Sequence, residues 1–160
     1  MHKTRNDLSQ NLRKSVCELL NGRLADAIDL KFAVKQAHWT VKGPNFIALH
    51  ELFDQVQARL DGPIDDMAER IAALGGTPEG TTQVATKRST LKPYPLDLND
   101  GKDHLEALAS RLAGFGKAVR VAIDESDKMG DADTADLFTG ISRTIDKDLW
   151  LLEAHLQAKS

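Results

Sequence analysis

Apolar residues recur along this chain at intervals of three and four, the repeat of a helix with one buried face. Leu8, Leu12, Val16, Leu19, Leu20, Leu24, Ala27 and Ile28 form the first such stripe and predict a helix over residues 7–40. Val41-Lys42-Gly43-Pro44 then breaks it, because glycine suits a helix C-terminus and proline a turn or a first helical turn. Phe46, Leu49, Phe53, Val56, Leu60, Ile64, Met67, Ile71 and Leu74 mark a second helix over residues 45–74. Gly62-Pro63 lies inside that stripe, and an interior proline costs about 3 kcal/mol and kinks a helix. The stripe keeps its phase on both sides, so one kinked helix is expected.

Residues 79–97 carry Gly80, several threonines, Pro93 and Pro95 and show no periodicity. The segment is long for a bare loop, which predicts a short helix inside it, over Thr82–Arg88. Asn99-Asp100 then offers an N-cap for a third long helix reaching Met129, with Leu105, Leu108, Leu112, Phe115, Val119, Ala122 and Ile123 on its inner face. Gly130 ends it, and Asp131 or Asp133 caps a last helix that ends near Ala158. Its stripe is Leu137, Ile141, Ile145, Leu149, Leu152 and Leu156. No strand pattern and no internal repeat interrupts this order. Four long helices with one long connection between the second and third predict an all-α, ferritin-like four-helix bundle.

Length and charge narrow the picture. The chain has 160 residues, which suits one domain. Cys17 is its only cysteine and reads as a small buried hydrophobe. No apolar run is long enough to span a membrane, and residues 1–8 do not resemble a signal peptide, so a cytoplasmic protein is expected. A formal net charge of −3 gives no bulk attraction for nucleic acid.

The chemistry gathers on the second helix. His50 and Asp54 are spaced i, i+4, as are Asp65 and Glu69, so each pair shares a helical face. Charged residues in this arrangement usually form a solvated face, and a lone histidine is usually no ligand. His50 and Asp65 are also too far apart to share a metal within one chain, at roughly 22 Å along a straight helix. A two-fold axis through the midpoint near Arg59–Leu60 changes that. It carries position 50 onto 69 and position 54 onto 65, so two antiparallel copies would build two equivalent sites. His38, at the end of the first helix, lies just before the turn that brings the chain back. Imidazoles with several carboxylates suit a redox-active divalent metal such as iron. Zinc binds such ligands too, although its structural sites favour cysteine.

These residues resemble a known signature. Lys35-Gln36-Ala37-His38-Trp39, Lys42-Gly43-Pro44-Asn45-Phe46, His50-Glu51 with Asp54, and Asp65-Asp66-Met67-Ala68-Glu69-Arg70 are similar to the Dps family (DNA-binding proteins from starved cells). Asp133-Thr134-Ala135-Asp136, Ser142-Arg143, Asp146-Lys147 and Leu149-Trp150 extend the resemblance to nearly the whole chain. It implies a hollow homododecamer, a mini-ferritin, with ferroxidase sites at two-fold interfaces. His38, His50 and Asp54 would come from one subunit, and Asp65 and Glu69 from its partner. The resemblance implies iron as the metal, hydrogen peroxide or dioxygen as oxidant, and ferric oxyhydroxide stored in the cavity, sparing DNA from oxidative damage. Trp39 would sit beside the iron and intercept stray oxidising equivalents, against an equal reading as a core or interface aromatic. Asp124, Asp131, Asp133 and Asp136 are candidates for an acidic pore at a three-fold axis, with helix capping the competing role for Asp131 and Asp133. Trp150 reads as core, and His2, His104 and His155 receive no role.

Two departures qualify the resemblance. DNA-condensing Dps proteins commonly carry a lysine-rich tail, whereas residues 1–6 form only a short flexible tail with Lys3 and Arg5. A shell of twelve copies would carry about −36, twelve times −3, and repel a polyphosphate. A DNA-compacting, nucleoid-associated protein with weak iron chemistry is therefore the alternative reading. The second departure is Gly62-Pro63, which alters the geometry between the two half-sites. A ferritin or bacterioferritin with its metals inside one bundle needs Glu-x-x-His, and no glutamate here has histidine three residues later.

Overall fold

The computed structural model describes residues 1–157 and is all helical, with no strand among the described residues. α1 spans Gln10–Thr40, α2 Phe46–Arg59, α3 Asp61–Ala73, α4 Thr82–Arg88, α5 Gly101–Met129 and α6 Ala132–Glu153. α1, α2 with α3, α5 and α6 are the four long arms of the bundle. α4 is the short helix expected in the crossover. α5 packs along α6, and α1 touches α2, α3, α4 and α5.

α1 begins later than expected. Ser9, not Asp7, is its N-cap, accepting from the Leu12 N–H at 3.3 Å. Asn6 has already turned the backbone by accepting from the Leu8 N–H at 3.0 Å, a local bond that competes with helix. The segment read as a flexible tail is tethered, since the His2 N–H donates to the Gly75 carbonyl at 2.6 Å.

The second long helix is kinked where Pro63 demands it. Proline has no N–H for the Arg59 carbonyl, and the ladder divides into α2 and α3 at Leu60. Leu60 itself stays helical, at φ −75° and ψ −16°. The apolar stripe therefore runs on in phase, with Phe53, Val56, Leu60, Met67 and Ile71 all fully buried.

Asp100 caps α5 by accepting from the Lys102 N–H at 2.8 Å, and Gly130 closes it in the left-handed conformation at φ 91°. Asp131 caps α6 at once, accepting from the Thr134 N–H at 3.1 Å. α6 stops at Glu153, short of the expected Ala158, which lies outside the described residues. Its buried line is Phe138, Ile141, Ile145, Asp148 and Leu152, while Leu137 and Leu149 are only partly buried. Trp150 faces away from that line and is 59% exposed, so it is not a core residue of the subunit.

The core is continuous and centred on Phe53, Phe115 and Phe138, packed with leucines of α1 and α5. The crossover is pinned across α1 by buried polar side chains. Asn21 bonds Thr77 and Glu79, and Asp26 accepts from the Thr90 N–H at 2.7 Å. Among the described residues, no helix is long and apolar enough to cross a membrane.

Candidate metal centre

His38 and His50 meet because the turn between α1 and α2 is tight. Gly43 adopts φ 109°, a conformation that side chains disfavour, and the Phe46 N–H closes the turn on its carbonyl at 3.1 Å. The last turn of α1 and the first turn of α2 are thereby laid side by side. The two imidazoles stack, with ring centroids 3.7 Å apart and planes 22° from parallel.

Each ring is then locked by the other residue's backbone. His38 Nδ1 lies 2.7 Å from the His50 carbonyl, and His50 Nδ1 lies 2.8 Å from the His38 carbonyl. A carbonyl can only accept, so Nδ1 of each neutral ring carries the hydrogen and Nε2 keeps its lone pair. A histidine that ligates a metal ordinarily donates its other ring N–H to such a group, which fixes its tautomer and orientation.

Asp54, one turn beyond His50, stands beside the pair, its Oδ1 4.0 Å from His38 Nδ1. Lys35 hydrogen-bonds the same carboxylate. That ammonium holds the Asp54 carboxyl below the usual range. Asp54 is thus a carboxylate at neutral pH, able to supply a hard oxygen ligand.

Asp65 and Glu69 stand apart. Both are exposed on α3, beyond the kink, and Asp65 borders a shallow depression with Asp61, Gly62, Ile64 and Ala68. Among the described residues no three histidine, cysteine or acidic side chains of one chain come together as a metal cage. The single chain offers two imidazoles and one carboxylate where α1 meets α2 and two more carboxylates on α3. Trp39 is 63% exposed beside the histidines, so within the subunit it is no core aromatic.

The four aspartates considered for a pore separate. Asp131 is 2% exposed and is a cap, accepting from Thr134 Oγ1 at 2.7 Å and from Arg70 Nη2 at 2.7 Å. It ties α3 to α6 and lines no opening. Asp124, Asp133 and Asp136 are exposed.

Known proteins share this arrangement of chain. The Ferritin family, described as a ferritin-like domain, matches residues 17–159. A DNA protection during starvation protein of Agrobacterium fabrum is 50% identical over 159 residues, covering 99% of this chain and 98% of that one. The chain belongs to the Dps family. A DNA protection during starvation protein of Mycolicibacterium smegmatis is 33% identical over 151 residues, covering 94% of this chain and 82% of that one. Solved Dps structures superpose closely. Mycobacterium smegmatis Dps has a TM-score of 0.93 at 32% identity, covering 99% of this chain and 95% of that chain. Dps from Bacillus brevis has 0.86 at 29% identity, covering 94% and 100%.

Two polar features of this Dps chain escape sequence reasoning. Asp148 is fully buried and bonded to Arg59 at 2.6 Å, on the core line of α6. Burial pushes its carboxyl up, and Arg59 opposes that shift. His104, given no role from sequence, is also fully buried, and it joins Tyr94 to Thr40. Both sit at helical spacing from apolar core positions, which is the signal that could have found them.

Proposed function

We propose that this Dps protein is a cytoplasmic ferroxidase and iron store. It oxidises ferrous iron with hydrogen peroxide and deposits ferric oxyhydroxide in a hollow homododecamer, sparing DNA from radicals. Each site takes His38, His50 and Asp54 from one subunit and Asp65 and Glu69 of the partner subunit. The observation that supports this best is the reciprocal lock of His38 and His50, which leaves an Nε2 lone pair on each ring, with the ionised Asp54 carboxylate 4.0 Å from His38 Nδ1. Imidazole and carboxylate together suit ferrous iron as substrate and stabilise the ferric product through added oxygen ligands.

Lys35 competes for Asp54 in the absence of metal and is displaced, or shares the carboxylate, as iron arrives. The kink at Leu60 coincides with the midpoint about which the two half-sites exchange, so Pro63 shapes how the two bent helices cross. Trp39, Phe46 and Ile47 expose apolar surface beside the histidines, which pairing with a second copy would cover.

The test is anaerobic addition of peroxide to ferrous-loaded protein, comparing wild type with His50→Ala/Asp65→Ala. Rapid oxidation by wild type and slow oxidation by an equally assembled variant is expected. Equal slow rates in both would sink the reading and favour DNA compaction, for which salt-dependent gel retardation is the assay.

A further inference from the structure

Behind the two histidines lies a second polar array that the ferroxidase reading does not use. Thr40, one peptide bond beyond Trp39, donates its hydroxyl to the Gln36 carbonyl at 2.8 Å. That carbonyl can only accept, so the Thr40 oxygen is free to receive the Nε2–H of His104, 3.3 Å away. A neutral imidazole with its hydrogen on Nε2 presents Nδ1 as an acceptor. The hydroxyl of Tyr94 lies 2.7 Å from that nitrogen and donates to it. The chain of bonds therefore runs one way, from phenol to imidazole to threonine to backbone.

The surroundings suit one-electron chemistry. Tyr94 and His104 have ring planes 10° apart, and Phe53 meets His104 edge-on with centroids 6.3 Å apart. Phe53 follows His50 by one helical turn on α2, and Thr40 follows Trp39 in the chain, so the pair lies close to the elements that carry the candidate metal centre. The Arg111 guanidinium lies 5.6 Å over the Tyr94 ring. A cation there opposes positive charge on the phenol, so an electron leaves readily only if the proton leaves with it. Burial pushes the phenol well above its ordinary value, so a standing phenolate is not the electron donor. Burial also pushes the imidazole of His104 down, against the Leu98 carbonyl, Asp103 and Asp100, which keeps it neutral and able to take a proton.

We propose that Tyr94 and His104 form a redox-active pair that takes up oxidising equivalents straying from the iron site, with the phenolic proton passing to His104 as the electron leaves. The source of those equivalents is the iron–peroxide chemistry proposed above, and to that extent the inference rests on it. The immediate oxidant is the one-electron-oxidised indole of Trp39. One electron moves from the phenol to the indole, and the deprotonated indole nitrogen takes a proton from solvent, which restores it. The Tyr94 O–H bond breaks, and an N–H bond forms at His104 Nδ1. A neutral phenoxyl radical and an imidazolium remain, so charge balances. A ferrous ion then supplies one electron, the proton returns to Tyr94, and a ferric ion is the product. The stray equivalent ends in iron oxidation.

Tyr94 is the only tyrosine, so any tyrosyl signal reports on it. The metal-free assembled protein carrying Trp150→Phe, which leaves Trp39 as its one indole, is oxidised with azidyl radical, and the indolyl and tyrosyl absorptions are followed. Expected is tyrosyl growth that matches indolyl decay and slows in deuterium oxide. Tyr94→Phe should abolish it, and His104→Gln should slow it about a hundredfold, the lower range of what a positioned base contributes. No tyrosyl in wild type, or an unchanged rate in His104→Gln, overturns the pair. Should His104→Gln fail to fold, the wild-type isotope effect decides, and its absence overturns the proposal. A second arm adds peroxide in excess to ferrous-loaded protein, so that no ferrous ion is left to reduce the phenoxyl, and records the radical by electron paramagnetic resonance. A pair competent without metal that yields no tyrosyl resonance here, while iron is oxidised, has no role at the iron site. A failure of peroxide-driven iron oxidation instead overturns the ferroxidase reading and leaves the metal-free result standing.

Discussion

Subunits carrying His50→Ala and subunits carrying Asp65→Ala should each be inactive as ferroxidases, yet recover activity when mixed. His50 lies on α2 and Asp65 on α3, roughly 22 Å apart along a straight helix. Metal–ligand bonds of about 2 Å cannot span that distance. In a mixed dimer the two-fold axis sends both substitutions to one site and leaves both native residues at the other. Random pairing of equal amounts makes about half of the dimers mixed, and half of their sites are intact, so about a quarter of the wild-type rate should return. Dimers purified through two different tags should reach about half. The assay is peroxide-driven oxidation of ferrous iron after the two pools are dissociated and reassembled together, with size checked by gel filtration. Each pool reassembled alone is the control. A mixture no more active than its parents, at full assembly, refutes a shared site, because ligands confined to one chain cannot complement.

Three further outcomes follow from the fold. Gly43→Ala meets no steric obstacle, so its cost is backbone strain at φ 109°, about 1–3 kcal/mol, read as a lowered denaturation midpoint. Arg59→Ala strands the buried Asp148 carboxylate and should destabilise by about 3–5 kcal/mol, measured by denaturant titration at fixed protein concentration. Burial raises the Asp148 carboxyl, so that penalty should grow as pH rises through its folded value and ease in acid. His104 has the opposite dependence. Its folded value lies below 6.5, so at lower pH the unfolded chain takes a proton that the folded chain refuses. Stability should then fall by up to about 1.4 kcal/mol per pH unit below 6.5 until the folded state protonates, and His104→Gln should remove that slope.

Which parts of this protein are legible in its sequence follows from which interactions are local. The apolar spacing of three and four marks α1, α5 and α6 because a helix repeats within a single turn. Asp100 and Asp131 are visible as caps because their bonds reach two or three residues. α4 is visible because a long connection rarely stays bare. The misplaced start of α1 has a local cause that periodicity does not weigh, the Asn6 side chain competing for the Leu8 N–H. Trp150 is misread because its neighbours Leu149, Leu151 and Leu152 look like core, whereas the line from Ile145 through Asp148 to Leu152 sets which side faces inward. Asp148 and His104 are hidden for a different reason. Each is a polar residue on an apolar line, stabilised by a partner far off in sequence for Asp148 and across a loop for His104. A hydrophobic pattern records them as interruptions. The candidate metal centre lies between these cases. Its residue types and i, i+4 spacing are local and readable, but the stacking of His38 on His50 depends on a turn that only Gly43 makes easy. Its completion would depend on a second copy. Orientation of the two imidazoles is thus carried by backbone carbonyls, which leave no trace in residue identity. That explains how the candidate residues can be picked out from the chain while the tautomer that would equip them for metal emerges only from the fold.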